Sequence, residues 1–329
     1  MARAEADGPD HFRVTGMAIG QSLVLHAEAD VRSQVIGQIP STAQCVRNGG
    51  CQGGLSFEEF STLSQEDQRL RLEVNPRWCK VDYRGSSGWA LGRFLMEDAC
   101  PVQAPELKQK NVTFKSGQTS VSFEGHVRGY ESHDYFVIAG AGQTLTVRLN
   151  GSHAQNYFNV LPPGSESAMF IGSSNGHQFK RAAPVDGVYV VRVYLMRAAA
   201  RRNVVSNFSL QIGLAGKALP ALPAKEDGLI DGTPFHARAA VPCTLGVLPE
   251  VRSCDAHVIR RGRDGTATIH LRGGSGTLPV DRRLLLLKGV PVATDSPLEF
   301  TFRRDGDLLT IDFGADEQYR IPDALVFGG

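Results

Sequence analysis

Apolar residues in this chain come in short alternating runs broken by glycine, a pattern that points to β-structure. Phe208, Leu210 and Ile212 alternate with Ser209 and Gln211. A period of two puts one face of a strand in a core and the other toward water. Thr266-Ala-Thr-Ile-His-Leu271 and Leu298-Glu-Phe-Thr-Phe302 alternate in the same way. Thirty-six glycines and seventeen prolines supply turns between such strands. The expected fold class is therefore all-β. A length of 329 residues exceeds one small β domain and suits two or three.

Composition excludes several functions. A formal net charge of +1 gives no support for nucleic-acid binding. No apolar run approaches the roughly 20 residues that span a bilayer as a helix; Leu284 to Leu287 is strand-sized. Met1-Ala-Arg-Ala-Glu-Ala-Asp7 lacks an apolar h-region, so no export signal is visible. The cysteines nevertheless favour an exported protein, periplasmic or secreted, whose signal is not in this sequence. There are six, and Cys243 and Cys254 bracket a short loop containing Gly246 and Pro249, as a local disulfide does. Cys45, Cys51, Cys79 and Cys100 allow three pairings; Cys51 with Cys79 is preferred, leaving Cys45 with Cys100. Cys254-Asp-Ala-His257 is a metal-ligand spacing, but Cys243 and His236 lie at irregular distances from it. No metal and no cofactor is expected.

The most specific stretch runs from Tyr189 to Arg202. Tyr189 to Met196 is β-branched or aromatic and almost free of charge, which suits a strand covered on both faces. At Arg197 the composition changes to alanines between arginines, as in a single helical turn. Residues four apart share a helix face, so Arg197 and Arg201 are expected to point the same way, with Arg202 off that face. Guanidinium groups are planar forks suited to carboxylates. Arg192 and Tyr194, inside the strand, are read as structural.

This stretch resembles the periplasmic inhibitors of goose-type lysozyme, which share the pattern Tyr-x-Val-Arg-Val-Tyr-Leu-Met-Arg-x-Ala-Ala-Arg-Arg. Phe123-Glu-Gly125, Gly129-Tyr130 to Asp134-Tyr135 and Gly142-Gln-Thr-Leu-Thr-Val147 are similar to the same family, as are Phe158 to Glu166 and Met169-Phe-Ile-Gly172. The resemblance spans roughly Asn111 to Leu214. Ala198 stands where the pattern has a polar residue, and Asn203 where Gly-Glu is usual. The resemblance implies a β-sandwich over residues 111–215 that occupies a lysozyme's substrate cleft. It gives Arg197 and Arg201 the role of contacting the cleft's carboxylates, with Tyr130 in support.

Residues 12–100 resemble a bacterial SH3-like (SH3b) domain, in which Trp78-Cys-Lys-Val-Asp-Tyr83 turns at Arg84-Gly85 into Gly88-Trp89. His26 and Asp30 depart from that family's usual Arg and Pro. Trp78 and Trp89 are candidate contacts for a sugar or peptide, against the blander reading that one or both complete a small core. Between Cys51 and Trp78, Ser56 and Ser64 precede acidic residues as helix N-caps do, predicting one or two short helices. Pro101-Val-Gln-Ala-Pro-Glu106 and Leu219-Pro-Ala-Leu-Pro-Ala-Lys225 read as linkers. Residues 227–329 form a third, β-rich domain with no chemistry attached.

Enzyme motifs do not hold together. Gly172-Ser-Ser-Asn-Gly176 matches a nucleophile elbow, but that motif needs a following helix in an α/β sheet. Here His177-Gln-Phe-Lys-Arg181 reads as a strand, making the segment a hairpin turn. Gly140-Ala-Gly142 lacks the third glycine of a dinucleotide loop, and Asp305 and Asp307 flank a turn glycine. The expected function is binding, not catalysis: inhibition of goose-type lysozyme, or alternatively a cell-envelope module that holds peptidoglycan or a peptide.

Overall fold

The computed structural model describes residues 9–18, 20–100, 107–246, 250–273 and 280–328. The Met1–Asp7 stretch, the 101–106 linker and Pro249 lie outside them. The chain is all-β, with several sheets and five short α-helices among the described residues. Its contacts divide it into two compact units. Residues 1–106, 128–130 and 195–205 form the first, and 107–127, 131–194 and 206–329 the second.

The first unit is built on one antiparallel sheet of seven strands. In spatial order these are Val35–Pro40, Ser22–His26, Ser86–Leu91, Trp78–Tyr83, Val46–Gln52, His11–Val14 and Leu95–Glu97. Leu23 and Leu25 point inward with Phe12, Val14, Ile39, Val46, Val81 and Ala90, while Ser22, Val24 and His26 remain partly exposed. The Tyr83–Ser86 hairpin closes through Arg84 and Gly85, both at positive φ (52° and 84°). That is the two-residue turn whose twist matches the strands. The predicted helices are Phe57–Thr62 and Gln65–Val74. Ser56 Oγ accepts from the Glu59 amide at 3.1 Å while Glu59 Oε2 accepts from the Ser56 amide at 2.8 Å, a reciprocal capping box. Cys45 is bonded to Cys100 and Cys51 to Cys79.

The second unit begins with a sandwich. One sheet runs Phe170–Ile171, Asn156–Leu161, Gly187–Leu195, Ser132–Ala139, Leu107–Asn111; the other runs Gln178–Ala182, Thr144–Gly151, Val205–Ala215, Ser120–Arg128. Aromatic pairs join the two layers, Phe123 with Tyr135 at 4.8 Å and Phe170 with Phe179 at 5.3 Å. The Gly187–Leu195 strand corrects the expectation of burial on both faces. Only Tyr189, Val191, Val193 and Leu195 are buried. Its other face carries Arg192, paired with Asp134 at 2.7 Å, and Tyr194, whose hydroxyl donates to Asn159 at 3.0 Å. Alternation was masked because tyrosine and valine occupy the half-buried face as well.

Residues beyond the sandwich add an eight-stranded antiparallel sheet. Its order is Val290–Thr294, Val280–Leu287, Ala267–Gly273, Val251–Arg260, Ala237–Leu245, Glu317–Pro322, Leu308–Phe313, Phe300–Asp305. Val258, Ile269, Leu284, Phe313 and Tyr319 form its core, which the helix Asp323–Phe327 closes with Leu325 and Val326. Cys243 and Cys254 are bonded across neighbouring strands. The Leu219–Lys225 segment, read as a linker, is held in place. The Leu219 amide donates to Ala141 O and the Leu222 amide to Arg260 O, each at 2.8 Å. Ala141 packs with Leu285 and Ala293. Arg261, its side chain fully buried, donates to Leu219 O (2.5 Å), Thr268 Oγ1 (2.8 Å) and Asp186 (2.7 Å).

A half-buried histidine should make this unit sensitive to acid. Burial holds the His270 imidazole down to about 4, and the Arg283 charge adds to the effect. A group whose folded pKa lies below its unfolded value of about 6.5 contributes stability that is present above that value. That stability is lost as pH falls toward 4. Its largest size is about 3 kcal/mol. Burial pushes the Asp295 carboxyl up to about 6, so Asp295 acts with the opposite sign over part of the same range. The informative quantity is a difference: stability of His270→Leu should fall less between pH 6.5 and 4 than that of wild type, measured by urea unfolding. Parallel profiles would contradict this assignment.

Candidate functional site

Two bends of chain bring the arginines and Tyr130 together. After Leu195 the backbone forms one helical turn, Arg197–Arg201, as the alanine run predicts. Ala199 and Ala200 are buried and let the turn pack closely. Asn203, at φ 53°, then ends it, and its amide donates to Ala200 O at 2.9 Å. The Gly129 amide donates to Val204 O at 2.9 Å. Gly129 is itself at positive φ, and a Cβ there would stand 2.8 Å from Asn203 Oδ1. Only glycine permits this approach, which sets Tyr130 beside the arginine turn.

The point on which these side chains converge is a carboxylate. Asp10 Oδ1 accepts from the Tyr130 hydroxyl at 2.9 Å, and Asp10 Oδ2 pairs with Arg197 Nε at 3.1 Å. Arg201 donates from Nη1 to Pro9 O at 3.1 Å. Arg47, on the Val46–Gln52 strand, donates from Nη2 to Arg201 O at 2.6 Å. Burial is the first cause, and Asp10 the second, that drives the Tyr130 pKa well above its ordinary value, so its hydroxyl stays protonated and donates. Such charge-assisted bonds are stronger than neutral ones. The side chain of Asp10 is 9% exposed and that of Arg197 38%.

Arg201 corrects an expectation. As a cleft contact it would be exposed with Arg197, yet it is 6% exposed, and Arg202 is more exposed. Sequence reasoning also missed Pro9, Asp10 and Arg47. No local motif marks Asp10, which precedes an ordinary alternating strand and meets Tyr130 across 120 residues of chain.

The tryptophans sit apart in role. Trp78 is 5% exposed, with its ring edge-on to His26 at 5.4 Å. It lines an open cleft of about 330 Å³ with Asp30, Val31, Asn75 and Pro76. Trp89 is half-buried on the strand facing His26 and does not line that cleft.

Comparison with known proteins finds similarity over about a third of the chain. No family model matches the chain. An inhibitor of g-type lysozyme from Escherichia coli (strain K12) is 27% identical over 111 residues, covering 32% of this chain and 80% of that protein. About a third of this chain is homologous to the inhibitors of g-type lysozyme. Among solved structures, the periplasmic lysozyme inhibitor of g-type lysozyme from Aeromonas hydrophila is 33% identical. It covers 34% of this chain and 100% of its own, with a TM-score of 0.32. Its Salmonella Typhimurium counterpart is 28% identical over 33% of this chain and 98% of its own, with a TM-score of 0.27. Inhibitors are binding proteins and not enzymes.

The elbow-like motif sits in a different setting from a strand–nucleophile–helix elbow. Gly172–Asn175 is one helical turn, a difference from the expected hairpin, and it carries the chain from one sheet to the other. Ser173 bonds Tyr194, and His177 places Nε2 on Asn156 O at 3.0 Å while stacking on Tyr157. Ser174 should therefore not react with a fluorophosphonate probe. Stoichiometric labelling detected by mass spectrometry would overturn that expectation.

Proposed function

We propose that the inhibitor-homologous region binds a g-type lysozyme and blocks its substrate cleft, with Arg197, Arg201 and Tyr130 contacting a cleft carboxylate. Homology that covers 80% of the Escherichia coli inhibitor carries this reading. The convergence of a guanidinium and a phenol on the two oxygens of Asp10 supports the chemistry. Glycan cleavage depends on carboxylates, and a guanidinium set against one gains a charge-assisted pair while excluding substrate. Disulfides fit the oxidising compartment, periplasmic or extracellular, in which such an inhibitor acts. The test is cell-wall lysis by a g-type lysozyme with and without this protein, using a chicken-type lysozyme as the specificity control. Selective inhibition of the g-type enzyme is expected.

A second reading rests on the cleft above Trp78 in the N-terminal unit, proposed as an SH3-like domain over residues 12–100. In this reading it holds peptidoglycan or a peptide. Co-sedimentation with purified peptidoglycan tests it.

A further inference from the structure

We propose that Asp10 is an internal stand-in for the lysozyme carboxylate, so that the protein is a latent inhibitor whose site is occupied by its own residues Pro9 and Asp10. This rests on the inhibitor reading above and adds its regulation. The groups assigned to the target are already engaged. Tyr130 takes one oxygen of Asp10, Arg197 takes the other, and Arg201 is bonded to the preceding carbonyl of Pro9. Each of these partners is a carboxylate or carbonyl oxygen, the chemistry an arginine fork recognises. Arg47 adds a second hold by donating to the carbonyl at the end of the arginine turn.

A purely structural role for this contact is the competing account. It predicts that losing Asp10 loosens the fold and gains nothing. The geometry favours occupation, because both Asp10 oxygens are taken by side chains that converge from two separate bends of the chain. Asp10 also keeps its place through its backbone, whose carbonyl accepts from the Asn48 amide at 2.9 Å. Removing the side chain alone leaves that strand anchored.

An intramolecular carboxylate competes at an effective concentration on the order of millimolar. A target must displace it, and apparent affinity falls by the fraction of molecules in which the site is open. A cleft that supplies a better-placed carboxylate, with a wider surface around it, replaces the two bonds made to Asp10.

Two variants and two readouts test this. Asp10→Ala removes the side-chain bonds to Tyr130 and Arg197, and Arg47→Gln weakens the second hold, a bond to the Arg201 carbonyl, while leaving the proposed contact side chains unaltered. In the full chain, both variants should inhibit a g-type lysozyme more tightly than wild type, Asp10→Ala by about ten- to a hundredfold. Independently of any lysozyme, backbone amides of 197–204 should exchange faster with deuterium in both variants. Equal inhibition by wild type and folded Asp10→Ala would overturn the latch while leaving the inhibitor reading intact. Absence of inhibition by all three proteins would remove the inhibitor reading and the latch with it. Unchanged exchange in 197–204 would show that Asp10 does not hold the turn, whatever the inhibition.

Discussion

Reversing two charges, Arg197→Glu with Arg201→Glu, should abolish inhibition of a g-type lysozyme. Truncating one partner of a buried interfacial charge pair costs about 2–5 kcal/mol, and reversal sets carboxylate against carboxylate. The loss should therefore exceed a hundredfold, by the rule that about 1.4 kcal/mol is a factor of ten. The two positions are not equivalent. Arg201 is 6% exposed and bonded to Pro9 O, so Arg201→Glu also buries a new carboxylate beside a carbonyl oxygen and should lower stability. Arg197 is more exposed, but Arg197→Glu sets a carboxylate against Asp10, whose side chain is 9% exposed, so this variant alone should lose most inhibition and also lower the urea midpoint. Arg202→Glu, at an exposed position off the shared face, should matter least. Measured inhibition constants for the double and the three single variants, each checked by circular dichroism, decide this; full inhibition by Arg197→Glu would remove the arginine turn from the mechanism.

The largest expected loss of stability follows from Arg261→Leu. Its guanidinium is fully buried and serves three acceptors: Leu219 O, Thr268 Oγ1 and Asp186. The ion pair is not the main contribution, because the Asp186 side chain is 54% exposed and is readily solvated once its partner is gone. What counts is the carbonyl of half-buried Leu219, which loses its guanidinium donor. Together with the lost bond to Thr268 this should cost about 2–4 kcal/mol. Arg261→Lys should recover little, since one ammonium cannot span three acceptors arranged around a planar fork. Urea unfolding provides the number, and a change below about 0.5 kcal/mol, the range of ordinary surface substitutions, would contradict it.

Local signals in this sequence were readable and distant ones were not. Ser56 and Ser64 before acidic residues announced helix N-caps, a signal carried by neighbours in the chain, and the turn at Arg84-Gly85 came with the SH3-like resemblance. The alanines after Arg197 likewise gave the helical turn. Burial of the Tyr189–Leu195 strand was overestimated because Val190 and Tyr194 are apolar or amphipathic on the half-exposed face. Asp10 left no trace in sequence at all. Its partners, Tyr130 and Arg197, are fixed by Gly129 and Asn203 at positive φ, and nothing in a run of Pro-Asp-His says that it will meet them. The proposed contact residues came from motif resemblance, whereas what occupies them came only from the folded chain.

The most direct measurement of the central claim is a titration of g-type lysozyme with the folded Asp10→Ala protein, in parallel with wild type and with the double Arg→Glu variant. The account predicts selective inhibition of the g-type enzyme, strongest for Asp10→Ala, weaker for wild type and absent for the arginine variant, with chicken-type lysozyme unaffected by all three. Failure of Asp10→Ala to inhibit the g-type enzyme even in large molar excess would contradict it.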